Sequence, residues 1–294
     1  MPSTENVSSA IVELEQTRRP RAEKAAGKSV RSAAPKSSAL ARWRFGLWVP
    51  PLVTFVLLGI SWEYVAHSNP FVIPPLGNIA ESIANDPSAY WNNLLVTLKE
   101  VAVGGGAAIV LGYLLAVLMC EFKILERALM PVVMVIMVTP VIAIAPALVV
   151  AFGFGMLPKY IVTVIVAIFP ILINSLAGLR AVDPGTLDVL RVVDASRWEI
   201  FWRLRFPGSM PYFFAGLRIA IPFAIIGAAV AEFVAAGEAA GLGAMVSIAA
   251  SQANLEVTWA GISMFCVLGL LFVAALTLLR RRILWWDNHG RAPK

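Results

Sequence analysis

Residues Gly178–Arg218 read GLRAVDPGTLDVLRVVDASRWEIFWRLRFPGSMPYFFAGLR, the longest polar interruption in an otherwise apolar chain. Asp183 followed by Pro184 is a helix start, with an acceptor side chain at the N-cap and a proline where a missing N–H costs nothing. Leu187, Leu190 and Val193 recur at a spacing of three and give the helix one apolar face. Ser196 and Glu199 form an S-x-x-E capping box, so a second helix begins near Arg197. It carries Ile200, Phe201 and Leu204 inward and leaves Arg197, Arg203 and Arg205 for water or headgroups. Pro207 and Gly208 are expected to stop it. The segment reads as two short helices outside the bilayer, between apolar runs.

Those runs decide the fold class. The 294 residues are 59% hydrophobic and only 14% charged, against roughly 25% charged in soluble domains. Six stretches approach the ~20 residues that span hydrocarbon: Trp48–Ala66, Leu95–Met119, Met130–Phe152, Tyr160–Leu176, Tyr212–Val234 and Trp259–Leu279. The alternating ten-residue segments of a barrel are absent, so the expectation is an all-α membrane protein of about six transmembrane helices. Pro131, Pro140 and Pro146 should bend or unwind the third span. Gly104, Gly105, Gly106 and Gly112 thin one side of the second, suiting close helix packing. A short amphipathic pattern runs near Ile79–Ile83, and the Gly- and Ala-rich stretch Ala235–Val257 is placed partly within the membrane.

Of the 24 Lys and Arg residues, 22 fall on one side of a six-span topology. They lie in the N-terminal tail, the turn at Lys123 and Arg127, the segment Gly178–Arg218 and the C-terminus. Basic residues stay inside, so both termini and the long segment are expected in the cytoplasm. The expected divisions are a disordered basic cytoplasmic tail over residues 1–44, a transmembrane domain over 45–283, and a cytoplasmic C-terminal tail over 284–294. Cys120 and Cys266 lie in or beside apolar runs with no partner spacing for a disulfide or a metal. The chain carries no catalytic constellation and no G-x-x-x-x-G-K-[ST] loop, so no enzyme activity and no cofactor are expected, and any ATP chemistry must sit on a separate subunit. Glu232 stands out as an ionisable group inside a span, whereas Lys99 and Glu100 read as adjacent charges near the interface.

The central segment resembles the signature cytoplasmic loop of type I, binding-protein-dependent ABC importer permeases. That loop runs E-A-A, three residues, G, nine residues, then I-x-L-P. Asp188, Val189 and Leu190 occupy the first three positions, Asp194 the glycine, and Leu204, Phe206 and Pro207 the last three. The words FPILINSLAGLRAVDP, ASRWEIF, PYFFAGLRIAI and AEF…GLG are similar to the nitrate, sulfonate and taurine branch. The resemblance covers roughly Phe71–Ile283.

It implies a type I importer permease fold in the bacterial plasma membrane, paired with a second permease subunit, the simpler guess being a homodimer. Two ABC ATPase subunits would dock beneath, and an extracytoplasmic substrate-binding protein would deliver a small solute from above; membrane lipid surrounds the pair and no nucleic acid is involved. The coupling loop then covers 178–211. By position, the residues that meet the ATPase are Asp188, Val189, Leu190, Asp194, Ala195, Ser196, Arg197 and Trp198, with Phe201 and Pro207 completing the loop. At Asp194 a glycine would allow a left-handed backbone. Aspartate tolerates that conformation at a cost of about 1 kcal/mol; alternatively the turn is of another type, or Asp194 pairs with a basic group on its ATPase. The competing readings are an ion-coupled secondary carrier or channel and a membrane-embedded enzyme.

Overall fold

In hydrocarbon an apolar run must satisfy its own backbone, and the helix does so within one segment. The computed structural model describes residues 49–69, 71–235 and 240–286, and among them every regular element is helical. The expected tail over 1–44 and most of the expected C-terminal tail lie outside the described residues. Contacts divide the chain into two units, 1–59 and 60–294. The first unit contributes helical turns 49–59, the start of α1 (Val49–Ser68); all that follows concerns the second.

That unit continues with α2 (Leu76–Asn85), α3 (Pro87–Glu121), α4 (Lys123–Val138), α5 (Val141–Phe152) and α6 (Met156–Arg180). Next come α7 (Pro184–Val192), α8 (Arg197–Ile200), a π-helical turn (Phe201–Arg205) and α9 (Phe206–Val234), then α10 (Leu242–Ser251) and α11 (Leu255–Ile283). Among the described residues five helices are long and apolar enough to cross a membrane, or six when the bent pair α4–α5 counts as one. Each outruns the span expected from hydropathy, because caps and polar ends extend the helix beyond hydrocarbon.

The third span breaks at one proline of three. Helices α4 and α5 meet at 99°. Thr139 is extended, with ψ 126°, and Pro140 follows with ψ 114°. A residue before proline is driven from the helical region. Pro131 and Pro146 stay inside their helices.

Pro207 and Gly208 do not stop the helix, contrary to expectation. The helix runs without a break from Arg197 to Val234, 38 residues. The wide turn explains it: the Phe206 N–H bonds to the Phe201 carbonyl, five residues back. Pro207 directly follows this widened turn, where the ordinary i to i−4 ladder is already displaced and the missing N–H and ring do less harm than in a regular helix interior.

Helix α6 packs between α3 and α9, and small residues set the approach. A Cβ at Gly104 would lie 2.6 Å from the Thr163 Cβ, and one at Gly216 2.9 Å from the Pro170 carbonyl oxygen. Gly112, Gly178 and Gly227 are similarly closed by α6 or α9 atoms. Lipid tails are as apolar as leucine, so this close van der Waals contact replaces the hydrophobic drive of a soluble core. The α6 face is accordingly apolar and buried at Val162, Ala167, Ile171, Leu172, Leu176 and Leu179. A second cluster gathers Ile79, Tyr90 and Ala260 under Trp62 and Trp259, whose rings meet edge to face at 4.7 Å.

Gly104→Val should cost about 1–3 kcal/mol through overpacking. Gly106→Ala, with nothing within 4 Å of the new Cβ, should be neutral or stabilising by up to about 1 kcal/mol. Thermal unfolding of the two variants in detergent, against wild type, reads the difference.

Candidate functional site

The polar segment folds as its caps require. The Asp183 carboxylate accepts the Thr186 N–H at 2.8 Å and the Thr186 hydroxyl at 2.9 Å, fixing the start of α7. These bonds, the backbone one first, hold the Asp183 carboxyl below its ordinary value of 3.8. Ser196 and Glu199 close the capping box of α8 from both sides.

Between the two helices the backbone turns through a Schellman motif. The Ala195 N–H bonds to the Leu190 carbonyl and the Asp194 N–H to the Arg191 carbonyl, both at 3.0 Å. Asp194 occupies the left-handed position with φ +54°. Of the three readings open for this residue, the turn is the one that glycine favours, and aspartate adopts it.

Helix α8 and the π turn are fastened to the bundle by charge. Glu121, at the C-terminal end of α3, accepts from Arg197 at 3.3 Å through one oxygen and from Arg205 at 3.2 Å through the other. Arg180 at the end of α6 grips Glu126 on α4 with both guanidinium nitrogens. Nothing local in the sequence marks this fork, since the partners of Glu121 lie 76 and 84 residues away. Phe201 packs inward against the cluster around Leu176 and Leu179, and Pro207 is half-buried behind it.

What remains faces outward. No residue of α7 is buried. Val189, Val192, Val193 and Trp198 are 65%, 84%, 68% and 69% exposed. Asp188 pairs with Arg191 at 3.2 Å on the surface, while Leu190 and Ala195 are half-buried and Ser196 lies open. Of the ten singled-out residues, the eight from Asp188 to Trp198 lie on α7, the turn and the start of α8, whereas Phe201 and Pro207 face the bundle.

At the other end of the bundle the structure corrects the reading of buried charge. Lys99 is exposed, but Glu100 is fully buried and bonds to buried Lys159 at 3.0 Å. Successive helical residues point about 100° apart, so adjacent charges need not share an environment. The spacing of Thr97, Glu100 and Gly104 on one helical face was the available signal. Lys159 lies in the first turns of α6, which starts at Met156. Glu232 is buried beside them and accepts the Thr97 hydroxyl at 2.7 Å and the Gly243 N–H.

A third feature is a groove of about 440 Å³ where α4 and α5 break against α6 and α9, lined in part by Met137, Val141, Phe169, Pro170, Asn174 and Phe223. Asn174 is the one polar side chain in that lining, and it donates one amide N–H to the Pro170 carbonyl at 2.8 Å.

Comparison with known proteins supplies the context. The family model for the binding-protein-dependent transport system inner membrane component matches residues 108–285, which include the whole polar segment. The formylaminopyrimidine transport permease protein ThiX of Halalkalibacterium halodurans is 34% identical over 80% of this chain and 95% of its own. The nitrate import permease protein NrtB of Leptolyngbya laminosa is 30% identical over 78% of this chain and 85% of its own. A crystal structure of an amino acid ABC transporter with histidines superposes with TM-score 0.58 at 19% identity, covering 68% of this chain and 97% of that one; it shares the fold.

Because the Asp183 carboxyl is held low, its contribution to α7 is present above the ordinary value and lost as pH falls through the lower folded one. Asp183→Ala should therefore speed hydrogen exchange of the Leu187–Val192 amides at neutral pH, with the gap from wild type closing as pH drops below about 4. Asp194→Gly should slow exchange in the same turn, and Asp194→Val, β-branched in a left-handed position, should hasten it.

Proposed function

The chain belongs to the family of binding-protein-dependent transport system inner membrane components, and on that footing we propose that it forms the translocation pore of an ATP-driven importer whose ATPase sits on separate subunits. It is a multi-pass protein of the bacterial plasma membrane. The observation that carries the reading is the set of exposed apolar side chains Val189, Val192, Val193 and Trp198 on two capped helices, the second anchored to the bundle through Glu121. Apolar side chains on a small, well-ordered projection suit a partner groove. In this reading Asp188, Val189, Leu190, Asp194, Ala195, Ser196, Arg197 and Trp198 meet the ATPase, with Phe201 and Pro207 passing its motion into α9.

Two ATPase subunits serve two permease subunits, taken here as a homodimer. The basic residues keep this end and both termini in the cytoplasm, and the binding protein docks at the other end. The cargo is a small solute, with sulfonate-, nitrate- and taurine-like anions as candidates alongside the pyrimidine for which one relative is named. No charged side chain lines the groove at the α4–α5 break, so selection rests chiefly with the binding protein.

The buried Glu100–Lys159–Glu232 group is the one observation that favours an ion-coupled carrier, since buried ionisable residues often mark ion pathways. Lys159 holds one oxygen of Glu100, and Thr97 and the Gly243 N–H hold Glu232, which supports a structural role. A proton ionophore, with ATP maintained, separates the two: uptake by proteoliposomes holding the full complex should persist, and its collapse would favour the carrier. Arg197→Ala with Trp198→Ala should leave membrane insertion and ATP hydrolysis in place but lower uptake at least tenfold; normal uptake by that double variant would remove the proposed contact.

A further inference from the structure

Glu232 caps a helix that has no cap of its own. Helix α10 begins at Leu242, and Gly241 before it offers no side chain. The two leading N–H groups are met from other helices instead. The Thr97 hydroxyl on α3 accepts the Leu242 N–H at 2.9 Å, and the Glu232 carboxylate on α9 accepts the Gly243 N–H. The same Thr97 hydroxyl donates to Glu232 at 2.7 Å. Orphan donors and the positive end of a helix dipole both favour a carboxylate here.

The sequence is shaped to receive it. A Cβ at Gly241 would overlap the Glu232 carboxylate, and one at Gly243 would lie 2.7 Å from its Oε2 and 2.8 Å from the Ala229 carbonyl oxygen. The G-L-G of residues 241–243 is thus a socket. Behind the socket the Glu100 carboxyl is close enough to feel the charge of Glu232, and Lys159 on α6 binds Glu100 at 3.0 Å. Four helices, α3, α6, α9 and α10, meet at one fully buried polar cluster.

Its position along α9 gives it a use. Trp198 and Glu232 stand near opposite ends of a single unbroken helix, about 50 Å apart at 1.5 Å per residue. Anything that rotates or shifts the coupling end also loads the socket. Directional bonds between a carboxylate and backbone are made or broken as a unit, whereas apolar contacts slide; register-setting is the best-attested use of such buried groups. We propose that Glu232 is a positioning residue for transport, latching α10 to the end of the bundle remote from the coupling helices. Docking of the binding protein at that end is felt by the ATPase through this latch and α9.

The inference rests on the importer reading above, and the test keeps the two apart. The complete complex of permease and ATPase is placed in lipid nanodiscs, with and without loaded binding protein. The readout is the ratio of stimulated to basal ATP hydrolysis. Glu232→Gln keeps the volume and one acceptor oxygen; Thr97→Val keeps the shape and frees the Leu242 N–H. Both should assemble in normal yield with basal hydrolysis retained, and the ratio should fall at least fivefold for Glu232→Gln and less for Thr97→Val. An unchanged ratio in both variants overturns the latch, and so does a loss of assembly and basal hydrolysis in step, which marks the cluster as scaffold alone. A wild-type complex that its binding protein does not stimulate overturns the importer reading itself.

Discussion

The architecture depends on how closely backbones approach along α6. Lipid offers no reward for bringing apolar helices together, so contact must come from shape. Gly104 and Gly112 on α3, Gly178 on α6, and Gly216 and Gly227 on α9 remove the side chains that would hold the three helices apart. With that central trio tight, charged groups can be buried at one end and a projecting helix pair fastened at the other. Neither feature would hold its geometry on a loosely packed support.

Helix continuity turns that support into a transmitter. From Arg197 to Val234 the chain passes Pro207, Pro211 and Pro222 without a break. The π-helical turn at Phe201–Arg205 accommodates the first of them. Glu121 clamps both flanks of this turn through Arg197 and Arg205. Surface ion pairs contribute little energy singly; here one carboxylate bridging two points fixes an orientation.

Local rules made much of this legible in advance. Hydropathy marked the spans, and Asp183, Ser196 and Glu199 marked the starts of α7 and α8, because caps are written in adjacent residues. The glycine-like turn at Asp194 was one of three readings and needed the backbone to decide it. The stop at Pro207 failed because proline's penalty depends on the turn around it, which a neighbouring π bulge changes. The buried pair Glu100–Lys159 was missed for another reason: its partners are 59 residues apart, and Lys99 beside Glu100 disguised its environment. Tertiary partners of charged groups leave almost no local trace.

The break between Val138 and Val141 carries a consequence for the solvent. A helix that stops at Thr139 leaves the carbonyl oxygens of its last turn without amide partners, only one residue past a run of Val, Ile and Met. Hydrocarbon cannot solvate such oxygens, and the cost is several kcal/mol for each one stranded there. Thr139 spends its N–H and hydroxyl on the carbonyls of Val135 and Ile136, and among the described residues no turn or cap N–H reaches those of Met137 and Val138. That flank of the molecule must therefore be wetted or covered by polypeptide, and acyl chains are excluded from it.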